Sequence, residues 1–313
     1  MEVILSAVLL LIGLVMLCFG GNWLVSGGVA IAKKFRISNL VIGMTIVAYG
    51  TSTPELAASI AAAGDHSAII LGNIIGSNIA NVGMVIGVAA ILVPLAVQKS
   101  VLRKEIPIML GVSALIVLLS VDGEISQSDG VILLVGLGIF AVYTFRSALK
   151  QREQDTDDSD DNENNNNIYL KSIGFIGIGI IVLYVGAILT VDNAVVIATE
   201  FGLSEKIIGL TVIAIGTSLP ELITSIIAIR KGHSDIGIGN IIGSNIYNIL
   251  MIMGVGASLG GVLITADVYM DYAIMIIFSI SLLIGLKTHI INRTMGIILT
   301  TGYLLYLVTT FFK

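Results

Sequence analysis

The chain has 313 residues, of which 56% are hydrophobic and only 12% charged, and its mean hydropathy is +1.01. Soluble globular proteins have about a quarter of their residues charged, so this composition excludes a soluble enzyme and predicts an all-α integral membrane protein. The net charge of −5 gives no indication of a nucleic-acid partner. At about 20 apolar residues per crossing, the length allows roughly ten transmembrane helices.

Apolar runs alternate with short polar segments along the whole chain and predict ten membrane spans, which we number 1 to 10. In chain order they cover residues 3–32, 38–63, 68–97, 106–121, 130–146, 170–198, 207–229, 236–264, 270–286 and 294–312. With the N-terminus outside, 14 of the 16 Lys and Arg residues fall in cytoplasmic segments. Because basic residues concentrate on the cytoplasmic side, we predict a multi-pass protein of the cell (plasma) membrane with both termini outside.

One long polar segment interrupts the series of spans. Residues 147–168 contain seven acidic residues and an asparagine tract, and they predict a disordered cytoplasmic linker. The linker would join a first five-helix repeat, residues 1–146, to a second, residues 169–313. A Ca²⁺ site in the linker is an alternative use of its acids, although they lack the spacing of a Ca²⁺-binding loop.

The two halves of the chain share a repeated sequence. Residues 50–56 (GTSTPEL) recur as residues 216–222 (GTSLPEL), and nine of the ten residues 72–81 recur in residues 239–248. Each half has an odd number of spans, so the second half enters the membrane from the opposite side and the repeats are inverted. Two inverted five-helix repeats are the architecture of many secondary transporters, with the binding site where the repeats meet.

Glu55 in span 2 and Glu221 in span 7 occupy matching positions deep within the predicted membrane region. A charged residue at this depth costs at least about 2.5 to 3.5 kcal/mol, and no Lys or Arg lies at comparable depth. A bound cation would supply the missing positive charge; the alternative is a proton on each glutamate. A third acid, Asp192 in the outer part of span 6, either lines an ion passage or lies at a hydrated helix end.

Pro54 and Pro220 lie next to these glutamates and predict that spans 2 and 7 are broken helices. Proline has no N–H and clashes with the preceding turn, so each helix should break within residues 50–53 and 216–219. The break should free backbone carbonyls; the candidates are those of Ala48, Thr51, Ala214 and Thr217. An alternative interpretation is a capping box, in which Ser52 pairs with Glu55 and Ser218 with Glu221 at a helix start.

The second repeated motif offers uncharged oxygen atoms. Ser77 and Asn81 are four residues apart and share one helical face, as do Ser244 and Asn248. For the two asparagines, interhelical hydrogen bonding is the alternative to binding an ion. Glycines 72, 76, 239 and 243 have the small-xxx-small spacing of closely packed membrane helices. A set of carboxylate, hydroxyl, amide and carbonyl oxygens suits Ca²⁺ or Na⁺, whereas Zn²⁺ would favour His or Cys.

Paired GTSxPE and GNxxGSN motifs in a predicted five-plus-five inverted repeat resemble the α-repeats of the sodium/calcium exchangers, within the calcium/cation antiporter superfamily. The resemblance implies that residues 43–90 and 209–257 are the first and second α-repeats. It implies Ca²⁺ binding by Glu55, Glu221, Thr51 and Thr217. It implies Na⁺ binding by Ala48, Ser52, Glu55, Ser77, Asn81, Ala214, Thr217, Ser218, Glu221, Ser244 and Asn248. One Na⁺ site would group Ser52 with Ser77 and the carbonyl of Ala48, and its mirror site would group Ser218 with Ser244 and the carbonyl of Ala214.

The implied function is exchange of Na⁺ for Ca²⁺ by alternating access, with spans 1 and 6 sliding against the other eight. Many prokaryotic and potassium-dependent relatives carry Asp where this chain has Asn248, so we expect a potassium-independent antiporter. We also expect electrogenic exchange, because three Na⁺ per Ca²⁺ supply more free energy than an electroneutral two. An H⁺/Ca²⁺ antiporter on the same fold is the alternative. An ion channel and a membrane-embedded hydrolase are less consistent with the motifs, since no His or Lys lies near Ser52 or Ser218 in the sequence. We expect no cofactor and no obligatory protein partner.

Overall fold

The computed structural model describes residues 2–61, 67–154, 166–202, 214–266, 268–286 and 288–311. The α-helices of this part of the chain are α1 (Glu2–Phe35), α2 (Asn39–Ile42), α3 (Ala48–Thr51), α4 (Thr53–Ala61), α5 (Ser67–Ala80), α6 (Gly87–Leu92), α7 (Ile106–Leu119), α8 (Gln127–Gln154), α9 (Asn166–Glu200), α10 (Ala214–Thr217), α11 (Leu219–Arg230), α12 (Ser234–Tyr247), α13 (Gly254–Gly260), α14 (Val268–Ser281) and α15 (Arg293–Phe311). Short π-helical turns lie at Gly43–Val47, Asn81–Ile86, Val101–Glu105 and Asn248–Met253, and a 3₁₀ turn lies at Leu282–Leu286.

Five of the described helices are long and apolar enough to cross a membrane: Val3–Phe35, Ile70–Leu92, Gln127–Lys150, Leu170–Glu200 and Ser234–Gly260. Two shorter apolar helices, Asn39–Thr51 and Val268–Ile284, accompany them. The prediction of an all-α membrane protein is therefore confirmed, and the chain is a multi-pass membrane protein. The number of spans, ten, stays a prediction.

The centre of the molecule is formed by the two repeat-related helices that carry the second motif. Ile70–Leu92 and Ser234–Gly260 are buried over most of their length. By contrast, α1, α8 and α9 expose many large apolar side chains, as expected for helices that face lipid. The buried core therefore lies around the second motif of each half.

The helices α1 and α9 pack along one another through glycines. A Cβ atom added to Gly20 would lie 2.8 Å from the backbone nitrogen of Leu183, and one added to Gly186 would lie 3.0 Å from the carbonyl oxygen of Gly13. Backbones approach this closely only where side chains are small. Spans 1 and 6 thus form one tightly packed pair.

Four two-residue strands were not predicted. Strand β1 (Leu95–Ala96) pairs antiparallel with β4 (Ile290–Ile291), and β2 (Glu124–Ile125) pairs antiparallel with β3 (Val262–Leu263). The two strand pairs are related by the sequence repeat, because β3 lies at the repeat position of β1 and β4 at that of β2. Each pair joins a loop of one half to a loop of the other half, so the strands tie the repeats together.

Both ends of the predicted linker are helical. Helix α8 continues to Gln154 and α9 begins at Asn166, so each helix extends into the segment 147–168. Residues 147–154 are mainly good helix formers, which explains the extension of α8. The most acidic part of the linker, residues 155–165, lies outside the described residues.

Candidate cation-binding site

Spans 2 and 7 are interrupted where the prolines predicted a break. Helix α3 ends at Thr51 and α4 begins at Thr53, while Ser52 between them has φ −83° and ψ 8°. Likewise α10 ends at Thr217 and α11 begins at Leu219, while Ser218 has φ −88° and ψ 1°. The predicted broken helices are confirmed, and each interruption is confined to a single serine.

The carbonyl of Ala48 is not freed as the sequence suggested. Its oxygen accepts a hydrogen bond from Ser52 N at 3.0 Å and lies 3.3 Å from Thr51 Oγ1. In the second half the pattern differs, because Ser218 N donates to the carbonyl of Ile215 at 3.1 Å. The prediction that the break frees this carbonyl is thus wrong, because the break is short enough for Ser52 to keep the helical bond. A role of the Ala48 carbonyl in Na⁺ binding stays a prediction.

The capping-box interpretation is not supported. Ser218 makes no side-chain cap bond to its helix. Ser52 Oγ instead donates to a carboxylate oxygen of the other repeat, Glu221 Oε1, at 3.1 Å. The serines therefore lie at helix starts without capping them through their hydroxyls.

Glu55 and Glu221 are both 1% exposed. Each lies in the first turn of its helix, α4 or α11, where the partial positive charge of the helix N-terminus favours an anion. Their charges nevertheless repel each other, and each has an Oε2 atom with no hydrogen-bond partner among the described residues. Two buried carboxylates with no countercharge among the described residues favour the binding of a cation.

Two serines from different halves of the chain contact the same carboxylate oxygen. Glu221 Oε1 accepts from Ser52 at 3.1 Å and from Ser244 at 3.4 Å. The Ser52 hydroxyl therefore reaches across the repeat boundary to the carboxylate of span 7. The grouping of Ser52 with Ser77 in one Na⁺ site stays a prediction.

The repeat-related serines on the other side are Ser77 and Ser218. Both are buried, and within the described part of the chain neither hydroxyl oxygen has a hydrogen-bond partner. Ser77, Ser218 and Glu55 offer the same kinds of oxygen as Ser52, Ser244 and Glu221. In the second set these oxygens are hydrogen-bonded to one another.

Asn81 and Asn248 are each 1% exposed and are held by two asparagines that the sequence analysis gave no role. Asn248 Nδ2 donates to Asn78 Oδ1 at 2.9 Å, and Asn81 Nδ2 donates to Asn245 Oδ1 at 3.0 Å. In both cases Oδ1 of the donor residue has no hydrogen-bond partner among the described residues. The predicted interhelical hydrogen bonds thus form through nitrogen and leave the oxygen available to a cation.

The threonines of the first motif are buried beside the breaks. Thr51 Oγ1 donates to Asn240 Oδ1 at 3.1 Å, and Asn240 Nδ2 donates to Ser225 Oγ at 2.9 Å. In the first half, Asn73 Nδ2 donates to Ser59 Oγ at 3.1 Å and to the carbonyl of Glu55 at 3.2 Å. Asn73 therefore holds the backbone at Glu55, and Asn240 links the side chains of Thr51 and Ser225.

The four asparagines Asn73, Asn78, Asn240 and Asn245 are the functional candidates that sequence reasoning missed. All are identical between the repeats, and this identity was the available signal. Ala214, also predicted from the sequence, is the first residue of α10. Asp192 is exposed on α9 and aligns with no acid of the first half, so nothing places it with the buried glutamates.

The predicted close packing of the motif glycines is present in the second half. A Cβ at Gly239 would lie 2.7 Å from the carbonyl oxygen of Leu40, and one at Gly243 would lie 2.6 Å from that of Met44. Leu40 and Met44 belong to the first part of span 2, so the glycines bring span 8 against it. Among the described residues no heavy atom lies within 4 Å of a Cβ added to Gly72 or Gly76, and the repeat counterparts of Leu40 and Met44, residues 206 and 210, lie outside the described residues.

The donor atoms of the site are oxygens. Among the described residues no three His, Cys, Asp or Glu side chains cluster, so a cation here depends on neutral oxygens as well as on the two carboxylates. Ca²⁺ takes six to eight oxygen ligands at about 2.3 to 2.6 Å, and it accepts hydroxyl, amide and carbonyl oxygens. The arrangement can therefore hold a hard cation.

Sequence comparison identifies full-length relatives. Inner membrane protein YrbG of Escherichia coli is 36% identical, over 97% of this chain and 96% of its own. Sodium/calcium exchanger MaX1 of Methanosarcina acetivorans is 34% identical, over 97% of this chain and 98% of its own.

Structure comparison gives the same result. A solved structure of the sodium-calcium exchanger NCX_Mj, soaked with Na⁺ and Ca²⁺, superposes with a TM-score of 0.86 at 34% identity and covers 98% of both chains. The sequence profile of the family described as sodium/calcium exchanger protein matches residues 5–146 and 171–312, one segment in each half. The chain therefore belongs to the sodium/calcium exchanger protein family, whose members are transporters and not enzymes.

Proposed function

We propose that this protein exchanges Na⁺ for Ca²⁺ across the membrane, using the cluster around Glu55 and Glu221 as its binding site. One observation carries the proposal: six buried oxygens that have no hydrogen-bond partner in the described part of the chain belong to three repeat-related residue pairs of the two motifs. They are Glu55 Oε2, Glu221 Oε2, Ser77 Oγ, Ser218 Oγ, Asn81 Oδ1 and Asn248 Oδ1. Leaving such atoms unpaired is costly, and a bound hard cation removes the cost.

The two carboxylates match the charge of one Ca²⁺ or of two Na⁺. Competition for the same oxygens would make the two ions mutually exclusive, which is the basis of exchange. The neutral hydroxyls of Ser52, Ser77, Ser218 and Ser244 support Na⁺ as the coupling ion, because a proton on a glutamate would need none of them. The relative MaX1 is called a sodium/calcium exchanger, which supports the same choice.

We further propose that exchange is electrogenic and independent of K⁺. With a tenfold Na⁺ gradient and about 100 mV inside negative, three Na⁺ per Ca²⁺ supply about 6.5 kcal/mol, whereas an electroneutral two supply about 2.8 kcal/mol. Only the larger value could sustain a Ca²⁺ gradient of the order of 10⁴. Asn248 brings no third negative charge for a K⁺ ion, which supports independence of K⁺.

In the proposed orientation both termini are outside and the linker, residues 147–168, is cytoplasmic in the cell membrane. The distribution of basic residues supports this orientation. A cysteine introduced in the linker should react with a membrane-impermeant reagent only after the cells are opened.

Reconstituted vesicles test the exchange. Vesicles loaded with Na⁺ should take up ⁴⁵Ca²⁺ when diluted into Na⁺-free medium, and a positive internal potential should accelerate the uptake. Uptake that follows an imposed pH gradient and ignores Na⁺ would instead establish the H⁺/Ca²⁺ antiporter. A Ca²⁺ flux that persists when both gradients are set against exchange would indicate a channel.

A further inference from the structure

Asn78 and Asn245 lie beside the proposed site and are not among its ligands. Each is 1% exposed, and each is at the same position of its repeat. The hydrogen bonds that they make run across the repeat boundary: Asn78 accepts from Asn248, and Asn245 accepts from Asn81. Each ligand candidate is thus held by an asparagine of the opposite half.

The direction of these bonds decides which amide atom remains for a cation. A carboxamide presents either its oxygen or its NH₂ group to a given neighbour, and only the oxygen can bind a cation. Asn248 and Asn81 point their NH₂ groups at Asn78 Oδ1 and Asn245 Oδ1, so their own oxygens are directed elsewhere and have no partner among the described residues.

The orientation of Asn78 and Asn245 is itself fixed. Asn78 Nδ2 donates to the carbonyl of Asn245 at 3.3 Å and lies 3.7 Å from Met275 Sδ. Asn245 Nδ2 donates to the carbonyl of Asn78 at 3.4 Å and lies 3.6 Å from Met109 Sδ. A flipped amide would direct its oxygen at a carbonyl oxygen and a thioether, which is unfavourable in this buried setting.

The positions of the ligand candidates also agree with an oxygen facing the site. Asn248 lies one turn after Ser244, whose hydroxyl contacts Glu221 Oε1 at 3.4 Å, and so shares the helical face that meets the carboxylate. Asn81 has the same relation to Ser77 in the first half. Each begins a π-helical turn, and such turns occur frequently at functional sites.

We infer that Asn78 and Asn245 are positioning residues that hold the amides of Asn248 and Asn81 with their oxygens toward the transported cation, and thereby set its affinity. This inference rests on the proposed function. The backbone carbonyl of Asn245 orients the Asn78 amide, which in turn orients the Asn248 amide. In the same way, the backbone carbonyl of Asn78 orients Asn245, which orients Asn81.

Cation binding to the purified full chain tests the inference. The dissociation constants of Ca²⁺ and Na⁺ are measured by calorimetry for the wild type, Asn78→Ala and Asn245→Ala. Loss of an outer residue that orients a metal ligand weakens affinity by about 10- to 100-fold, and we expect a loss in this range for both variants. Ser113→Ala is the control, because Ser113 is equally buried but donates only to a carbonyl of its own helix.

A crosswise comparison separates positioning from a general structural role. Asn78→Ala should add nothing to the loss of affinity caused by Asn248→Ala, since its effect passes through that residue. Combined with Asn81→Ala, the same change should multiply the losses. For Asn245→Ala we expect no further loss in combination with Asn81→Ala and multiplied losses in combination with Asn248→Ala. A structural role would not produce this pair-specific pattern.

Two further variants keep the test valid if Asn78→Ala does not fold. Asn78→Leu fills a similar volume without an acceptor and should weaken Ca²⁺ binding. Asn78→Asp keeps an acceptor for Asn248 Nδ2 and should retain most of the wild-type Ca²⁺ affinity. Wild-type affinity in Asn78→Ala or Asn78→Leu, or independent losses in the Asn78/Asn248 pair, would overturn the inference. A wild type that binds neither Ca²⁺ nor Na⁺ would overturn the proposed function instead.

Discussion

The hydroxyl of Ser52 donates to Glu221 Oε1 over 3.1 Å and so joins the two broken helices across the repeat boundary. The repeat-related pair would be Ser218 with Glu55. In the described part of the chain, however, Ser218 Oγ has no hydrogen-bond partner. The two halves of the site are therefore chemically equivalent but differ in the hydrogen bonds that they form.

This difference predicts unequal effects of removing the two hydroxyls. Ser218→Ala deletes an oxygen that has no competing bond, so we expect Na⁺ affinity to fall about tenfold, or about 1.4 kcal/mol. Ser52→Ala deletes an oxygen but also a hydroxyl that competes with an ion for Glu221 Oε1, so its loss should be smaller. The measurement is Na⁺ inhibition of Ca²⁺ binding by the purified variants.

Thr144→Val is the control for the serine variants, because Thr144 is buried in α8 and bonds only to carbonyls of its own helix. Its affinity for Na⁺ should equal that of the wild type. Equal losses in Ser52→Ala and Ser218→Ala would show that the bond to Glu221 does not compete with Na⁺.

The charge of the site gives a second prediction. Glu55→Gln and Glu221→Gln preserve shape but leave one negative charge against a divalent ion. Because these carboxylates are buried, the loss is poorly screened, and we expect Na⁺-dependent ⁴⁵Ca²⁺ uptake to fall at least 100-fold in each variant. Glu200→Gln, at the exposed end of α9, should transport at the wild-type rate. Retained uptake in either buried variant would remove these glutamates from the proposed site.

The helix breaks could be predicted from the sequence because proline acts locally. Pro54 and Pro220 alter the helix in which they lie, whatever packs against it. The inverted arrangement could also be predicted, because two matching motifs and an odd number of spans per half suffice for it. The partners of the motif residues could not be predicted in the same way.

The bond between Asn78 and Asn248 illustrates what was missing. Its two residues are 170 positions apart, and the bond exists only because spans 3 and 8 meet at the repeat boundary. The grouping of Ser52 with Glu221 has the same origin. The strands were missed for another reason, since two residues such as Leu95–Ala96 are too short to show an alternating pattern.

Asn248 gives a third prediction, on ion selectivity. In Asn248→Asp a carboxylate replaces the NH₂ group that donates to Asn78 Oδ1 at 2.9 Å, so a third negative charge enters the site opposite an acceptor. We expect transport to persist with altered Na⁺ and Ca²⁺ affinities and with a new response to K⁺. The measurement is ⁴⁵Ca²⁺ uptake at fixed Na⁺ gradient, with K⁺ or choline in the medium.

Asn193→Asp is the control for charge alone, because Asn193 lies in α9 and its Nδ2 donates to the carbonyl of its own helix, Leu189 O, at 2.8 Å. This variant should stay insensitive to K⁺. If Asn248→Asp has the ion affinities and K⁺ response of the wild type, then residue 248 does not contribute to selectivity.

The packing of α1 against α9 gives the last prediction. In Gly20→Ala the new Cβ atom would lie 2.8 Å from the backbone nitrogen of Leu183 and 3.0 Å from the carbonyl oxygen of Gly179, so the helices must separate. Such overpacking typically costs about 1 to 3 kcal/mol. We therefore expect a lower midpoint of thermal unfolding for the purified protein in detergent.

Gly177→Ala is a matched control on α9, because among the described residues no heavy atom lies within 4 Å of its added Cβ. Alanine is the better helix former by about 0.5 to 1 kcal/mol, so this variant should unfold at the wild-type temperature or slightly above it. The difference between the two alanine variants isolates the helix contact from helix propensity. Equal midpoints would show that α1 and α9 can separate at no cost, and that spans 1 and 6 do not behave as one tightly packed pair.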